Sequence, residues 1–165
     1  MRSAQRSGFT LVEVVVVMAL AGVVTMGLVT FYLYSQSTWI DASTQALTQR
    51  DATGALEAIG ATVWSGNNAT VLPAAGDSTN SDLFVYDAGG TLLGRYYWDP
   101  ADSLIHWGDD VTADRGPLVP SRAERFTVSL EDSLGLVHID SLRLRSSMGQ
   151  PVSLSSTFGM YNRTP

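Results

Sequence analysis

The chain contains no cysteine and no lysine, and it reaches residue 73 before its first proline. Without cysteine there is no disulfide framework, no thiolate metal site and no cysteine nucleophile. All ten cationic side chains are arginines, set against 16 aspartates and glutamates for a formal net charge of -6. Arg2 and Arg6 stand at the very start, so the rest of the chain has 8 Arg against 16 acids, a balance of -8. An acidic surface lacks the basic footprint that nucleic acid requires, and no nucleic-acid partner is expected. The late first proline means that nothing in the backbone forces an N-terminal helix to stop early.

Against these absences stands one long apolar run. From Val14 to Tyr34 there is no charge, and only Gly22, Thr25, Gly27 and Thr30 interrupt the apolar side chains. As a helix this run would span roughly 30 Å, the thickness of a bilayer's hydrocarbon core. Arg2 and Arg6 precede it, while Asp41 and Asp51 follow. That asymmetry predicts a cytoplasmic N-terminus and an exported C-terminal domain. The run is longer than a secretory signal's apolar stretch, and Ser35-Gln36-Ser37 is a weak cleavage sequence. A plain signal anchor fits the length but leaves Glu13 unexplained, since a carboxylate within hydrocarbon costs on the order of 3 kcal/mol.

A cut between Gly8 and Phe9 would give Glu13 a partner. It would remove both arginines and expose a new α-amino group four residues before the acid. A buried carboxylate needs such a cation. In a stack of helices, the acid of one subunit meets the amine of another and fixes their axial register.

The stretch Gly8-Phe9-Thr10-Leu11-Val12-Glu13, behind a short basic leader and ahead of the apolar run, resembles the class III leader of type IV pilins and type II secretion pseudopilins. The resemblance covers roughly Arg2 to Tyr34. It implies that prepilin peptidase cuts the Gly8–Phe9 bond and N-methylates Phe9, and that Glu13 is the assembly residue. Methylation keeps the amine cationic, so the pairing survives it. The partners implied are that peptidase, other pilins or pseudopilins of the same filament, an inner-membrane assembly platform and the membrane itself. The location implied is the bacterial inner membrane, single-pass with a periplasmic C-terminal domain, and then the pilus or pseudopilus. Major pilins often carry a kinking proline in the apolar segment and a C-terminal disulfide, and neither exists here. The pattern looks more like a minor pilin or the J-type minor pseudopilin, an initiating or tip component. The alternative from another class is a membrane-anchored periplasmic binding module that does not polymerise.

The remainder reads as α+β: a long helix packed on an antiparallel sheet. The domains expected are the leader 1–8, a membrane or filament-core helix 9–34, its amphipathic continuation 35–66 and a β domain 67–165. Ile40, Leu47, Leu56, Ile59 and Val63 share one helical face. Gly54 and Gly60 mark a place for a bend, and Gly66-Asn67-Asn68 is a stop. Residues 67–81 read as a flexible connector. Leu83–Tyr86 and Leu92–Trp98 form a hairpin around Ala88-Gly89-Gly90, and Leu104–Trp107 follows a turn at Asp99–Asp102. Gly108–Pro120 is a loop. Strands follow at Phe126–Leu130, Val137–Leu144 and Val152–Phe158. A phase change in the second of these predicts a bulge near Asp140-Ser141.

No enzymatic constellation emerges. His106 and His138 stand on strands without a cysteine or serine motif nearby. Asp109, Asp110 and Asp114 are the weak candidates for a metal, with a spacing unlike a calcium-binding EF-hand loop. No cofactor is expected. Tyr96, Tyr97, Trp98 and Trp107 read as packing residues of a hairpin.

Overall fold

A computed structural model of the chain describes residues 9–148 and 150–161. Gly8, with Arg2 and Arg6, lies outside the described residues. One α-helix, α1, runs from Leu11 to Ser65. Seven strands follow: β1 (Asn68–Ala74), β2 (Asp77–Tyr86), β3 (Leu92–Asp99), β4 (Leu104–Gly108), β5 (Arg122–Glu131), β6 (Leu136–Arg145) and β7 (Pro151–Gly159). This is the α+β architecture expected: a long apolar N-terminal helix and antiparallel β structure. The chain divides into two units, one ending at Ala42 and the other starting at Ser43. The first is apolar helix, long and apolar enough to cross a membrane, with none of its apolar stretch buried. The second holds the remainder of α1 and all seven strands.

Within the second unit, the helix face that meets the strands is made of Thr48, Ala52, Ala55, Ile59, Gly60 and Val63. Ile59 and Val63 are fully buried as expected and Leu56 packs at the margin, whereas Leu47 and Ile40 are exposed. The stripe chosen by bulk was therefore rotated from the true one, because close approach selects small side chains. Gly60 shows why. A Cβ there would lie 2.5 Å from the ring of Phe158. The glycine serves close packing rather than a bend, and α1 passes through it unbroken.

The strands form two sheets, one ordered β1-β2-β3-β4 and the other β5-β6-β7, each antiparallel between neighbours. Alternation in a sequence gives strands and their faces, not which sheet a strand joins. The expected connector at 67–81 is a correction. It contains β1 and the start of β2, paired from Asn68↔Tyr86 to Ala74↔Asp77. Asn, Pro and Gly lowered the strand signal there, and pairing with β2 overrode it. The hairpin turn before Thr91 forms as expected, the Thr91 amide donating to the Asp87 carboxylate at 2.7 Å. The bulge is present too. Thr127 pairs Ser141 and Val128 pairs Ile139, leaving Asp140 unpaired.

One buried cluster joins the elements: Ala52, Ala55, Ile59 and Val63 from α1, Leu83, Val85, Tyr96 and Ile105 from the first sheet, Phe126, Val137, Ile139, Leu142 and Leu144 from the second. Polar groups stitch the sheets together. The buried Asn80 side chain accepts from the Phe126 amide at 2.6 Å, and Ser81 Oγ accepts from the Val128 amide at 3.1 Å. The Trp98 indole donates to the Ala123 carbonyl at 2.9 Å. These bonds also close the free edge of β5. The free edge of β4 is closed by residues 115–118, through Trp107 N to Gly116 O, Arg115 N to Trp107 O and Leu118 N to Ile105 O. Pro73 interrupts the donors of β1.

Candidate functional site

The N-terminal end of α1 is built by two side chains. Thr10 is not helical, yet its carbonyl already accepts from Val14 at 3.2 Å, which makes it the N-cap. The Glu13 amide donates to Thr10 Oγ1 at 3.3 Å, and the Thr10 amide donates to Glu13 Oε2 at 3.4 Å. The Thr10 hydroxyl also donates to that oxygen, at 3.4 Å. This reciprocal pattern is a capping box, in which two backbone donors that the helix leaves orphaned are satisfied at once. A carboxylate in the first turn is further favoured by the helix dipole. Glu13 thus has a local structural role in addition to the pairing expected of it. Thr10 was overlooked from sequence, although a threonine three residues ahead of a glutamate before an apolar run was the available signal.

Among the described residues, Glu13 Oε1 has no hydrogen bond. Phe9 is 79 % exposed, and every residue from Leu11 to Thr30 is exposed with it. The end of this helix therefore presents an acid with acceptor capacity to spare, surrounded by apolar side chains that are exposed among the described residues. Such a surface is suited to lateral packing of helices around a pairing charge.

The second unit carries a different polar cluster. His106 in β4 is 6 % exposed, with Nε2 2.8 Å from Asp102 and Nδ1 2.9 Å from Asp114. Ionised carboxylates only accept, so two of them flanking the ring favour the form in which both nitrogens donate, the imidazolium. Burial opposes that charge, but the hydrogen bonds and attraction of Asp114 and Asp102 prevail and hold the pKa above its ordinary value. Both aspartates titrate below theirs: Asp102 because its bonds to His106 and the Leu104 amide outweigh desolvation, Asp114 through His106 and the Gly116 amide. The Tyr97 ring packs beside the imidazole, 5.6 Å between centroids. With both nitrogens occupied, this histidine fastens the loop after β4 rather than addressing a substrate.

The three aspartates singled out from sequence are not brought together. Asp109 pairs with Arg115 at 2.6 Å, Asp110 accepts from the Thr112 amide at 3.4 Å, and Asp114 is bound to His106. A different trio, Asp99, Asp102 and His106, places potential ligand atoms within 4.8 Å of one another. His106 is already engaged there on both sides. His138 is half-buried, with Nδ1 2.8 Å from the Thr157 hydroxyl and Nε2 3.5 Å from the Glu131 carboxylate. Of the aromatic residues, Tyr96 is buried, its hydroxyl 2.7 Å from that of Thr62, and burial raises its pKa. Tyr97 lies under the Arg95 guanidinium at 4.1 Å. Trp107 is 38 % exposed.

Residues 3–29 match a family model described as the prokaryotic N-terminal methylation motif. The match takes in residues 3–8, Phe9, Thr10, Glu13 and most of the exposed apolar helix, and it supports a relationship to the type IV pilins and pseudopilins, which are processed by prepilin peptidase. No curated protein and no solved structure matches the chain.

Proposed function

We propose that this protein is a minor pilin or pseudopilin, a structural subunit that waits in the inner membrane and enters a filament after cleavage at Gly8–Phe9. The observation that carries this is the pairing of a methylation motif with an N-terminal helix whose apolar surface is exposed among the described residues. The role of the helix is to be buried against other helices, first by lipid and then by subunits. No charged residue interrupts that surface between Glu13 and Asp41.

Membrane register gives Glu13 its place in the sequence of events. Tyr32, Tyr34 and Trp39 are exposed aromatic residues at the far end of the apolar run, where amphipathic rings settle at a membrane interface. With that girdle at the periplasmic surface, a helix rise of about 1.5 Å per residue puts Glu13 about 30 Å away, at the cytoplasmic boundary of the hydrocarbon. The carboxylate is then tolerated before assembly, capping its own helix beside headgroups and water. Its desolvation comes when the subunit leaves the bilayer for the filament core. There the methylated amine of Phe9 on a neighbouring subunit supplies the compensating cation. Helix packing around that pair forms the filament core, and the β domain faces outward.

Mass spectrometry of the native N-terminus tests the route. The expected product begins at N-methylated Phe9. Intact Met1, or a cut near Ser37, overturns the reading. Replacing Glu13 by Ala separates a filament subunit from an anchored binding module, because only the former loses its place in an assembly.

A further inference from the structure

We propose that the free edge of β7 is a docking site for an extended segment of a second protein, one that carries a cationic side chain toward Glu57. Two of the four sheet edges are closed, β4 by residues 115–118 and β5 by Asn80 and Ser81, and the seven-residue β1 carries Pro73 next to its end. β7 is the exception. It is nine residues long, its one proline is the first residue, and it carries no charged side chain. Lysines, bulges and central prolines are the devices that protect an edge, and β7 has none of them on its open side. Among the described residues, no backbone hydrogen bond reaches β7 other than those of its own pairing with β6.

Burial along β7 points the same way. The inward residues of β6, namely Val137, Ile139, Leu142 and Leu144, are at most 1 % exposed. Val152, Leu154, Ser156 and Phe158 occupy the corresponding row on β7 and are only half-buried. A further strand would complete that row as β7 completes the row of β6. At its C-terminal end the edge opens into a cleft of about 640 Å³ between β7 and α1, lined by Phe158, Met160, Tyr161, Ala61, Trp64 and Glu57. Trp64 and Tyr161 meet edge to face at 5.9 Å and remain largely exposed.

The occupant is set by these surfaces. Unpaired main-chain groups select an extended backbone. The half-buried row and the aromatic wall select apolar side chains at alternate positions. Glu57 is exposed and has no ion-pair partner among the described residues, so it selects a cation. The chain's own charge of -6 disfavours a second copy and favours a partner of the opposite sign.

The test uses the full chain in phospholipid nanodiscs and two synthetic nine-residue peptides of alternating valine and threonine, with an arginine placed opposite Phe158 in one and a glutamate there in the other. Amide hydrogen exchange of Pro151–Gly159 is the readout. The arginine peptide is expected to slow exchange there and to bind about tenfold more tightly than the glutamate peptide. Glu57→Gln, an exposed and conservative change, is expected to remove most of that difference. Absence of protection in β7 overturns the proposal, and so does protection that is equal for both peptides or indifferent to Glu57. Protection that rises with protein concentration alone also overturns it, since the occupant would then be a second copy. The result is independent of filament entry, which the Glu13 variants report.

Discussion

Thr10 and Glu13 hold each other at the start of α1, each side chain accepting from the other's backbone amide at 3.3–3.4 Å. The carboxylate that looks anomalous in the sequence thus has a satisfied position in the single chain, and the assembly role proposed for it would draw on an acid already oriented by its own helix. The two roles make different demands on residue 13. A cap needs an acceptor oxygen, and an intersubunit ion pair needs a negative charge.

Glu13→Gln keeps the acceptor and removes the charge. Helix content and leader cleavage are expected to match the unaltered chain, while recovery of the subunit in sheared filaments falls by about tenfold or more, as expected when one partner of a buried charge pair is lost. Thr10→Val gives the converse, costing about 1 kcal/mol at the cap while leaving the charge in place. Normal filament recovery for Glu13→Gln would discard the electrostatic account.

The His106 cluster predicts a pH dependence with a definite sign. The histidine's folded pKa is raised, so its contribution is complete below the unfolded value of about 6.5 and is lost as pH rises through the folded one. Asp102 and Asp114 are lowered, so their contribution is present above about 3.9 and lost as pH falls through their folded values. Stability from this cluster is therefore greatest between those limits, and thermal melts should show Tm declining from mildly acidic toward alkaline pH. His106→Asn should flatten the alkaline side of the profile. An unchanged slope would show that the cluster does not hold the loop.

At Gly60 the helix and β7 are in direct opposition. Ala is the better helix former by up to about 1 kcal/mol, yet its Cβ would sit 2.5 Å from the Phe158 ring. Overpacking prevails here, and Gly60→Ala is expected to destabilise the protein by roughly 1–2 kcal/mol net. Urea denaturation of the variant together with Phe158→Leu checks the cause. The pair should be less destabilised than the sum of the single changes, since the smaller side chain vacates the clash.

Asn80→Ala removes the acceptor of the buried Phe126 amide. A buried donor left unsatisfied costs about 1–3 kcal/mol, and exchange of the Phe126 amide should accelerate by more than the global loss of stability accounts for. An effect confined to global stability would mean that water replaces the asparagine.

The long helix, its end at Ser65, the hairpin after β2 and the bulge at Asp140 were all legible because each rests on local chemistry: an apolar run, a glycine stop, a glycine turn, a switch in side-chain phase. The methylation motif at the N-terminus was equally legible, because its residues are contiguous. The contacting face of α1 was misread because packing against a sheet rewards the smallness of Ala52, Ala55 and Gly60, while hydropathy rewards the bulk of Leu47. β1 was missed because its strand character comes from its partner. His106 looked inert because Asp102 and Asp114 reach it only once the loop after β4 has folded back.

The sequence by itself determined the long apolar helix and the lone acid at its head, since apolar length and a carboxylate are properties of contiguous residues. Tertiary structure alone decided that the strands divide into two sheets, which edges are closed, and that among the described residues β7 pairs only with β6. Those outcomes depend on hydrogen bonds and burial between residues tens of positions apart, and no local pattern encodes which distant groups will meet.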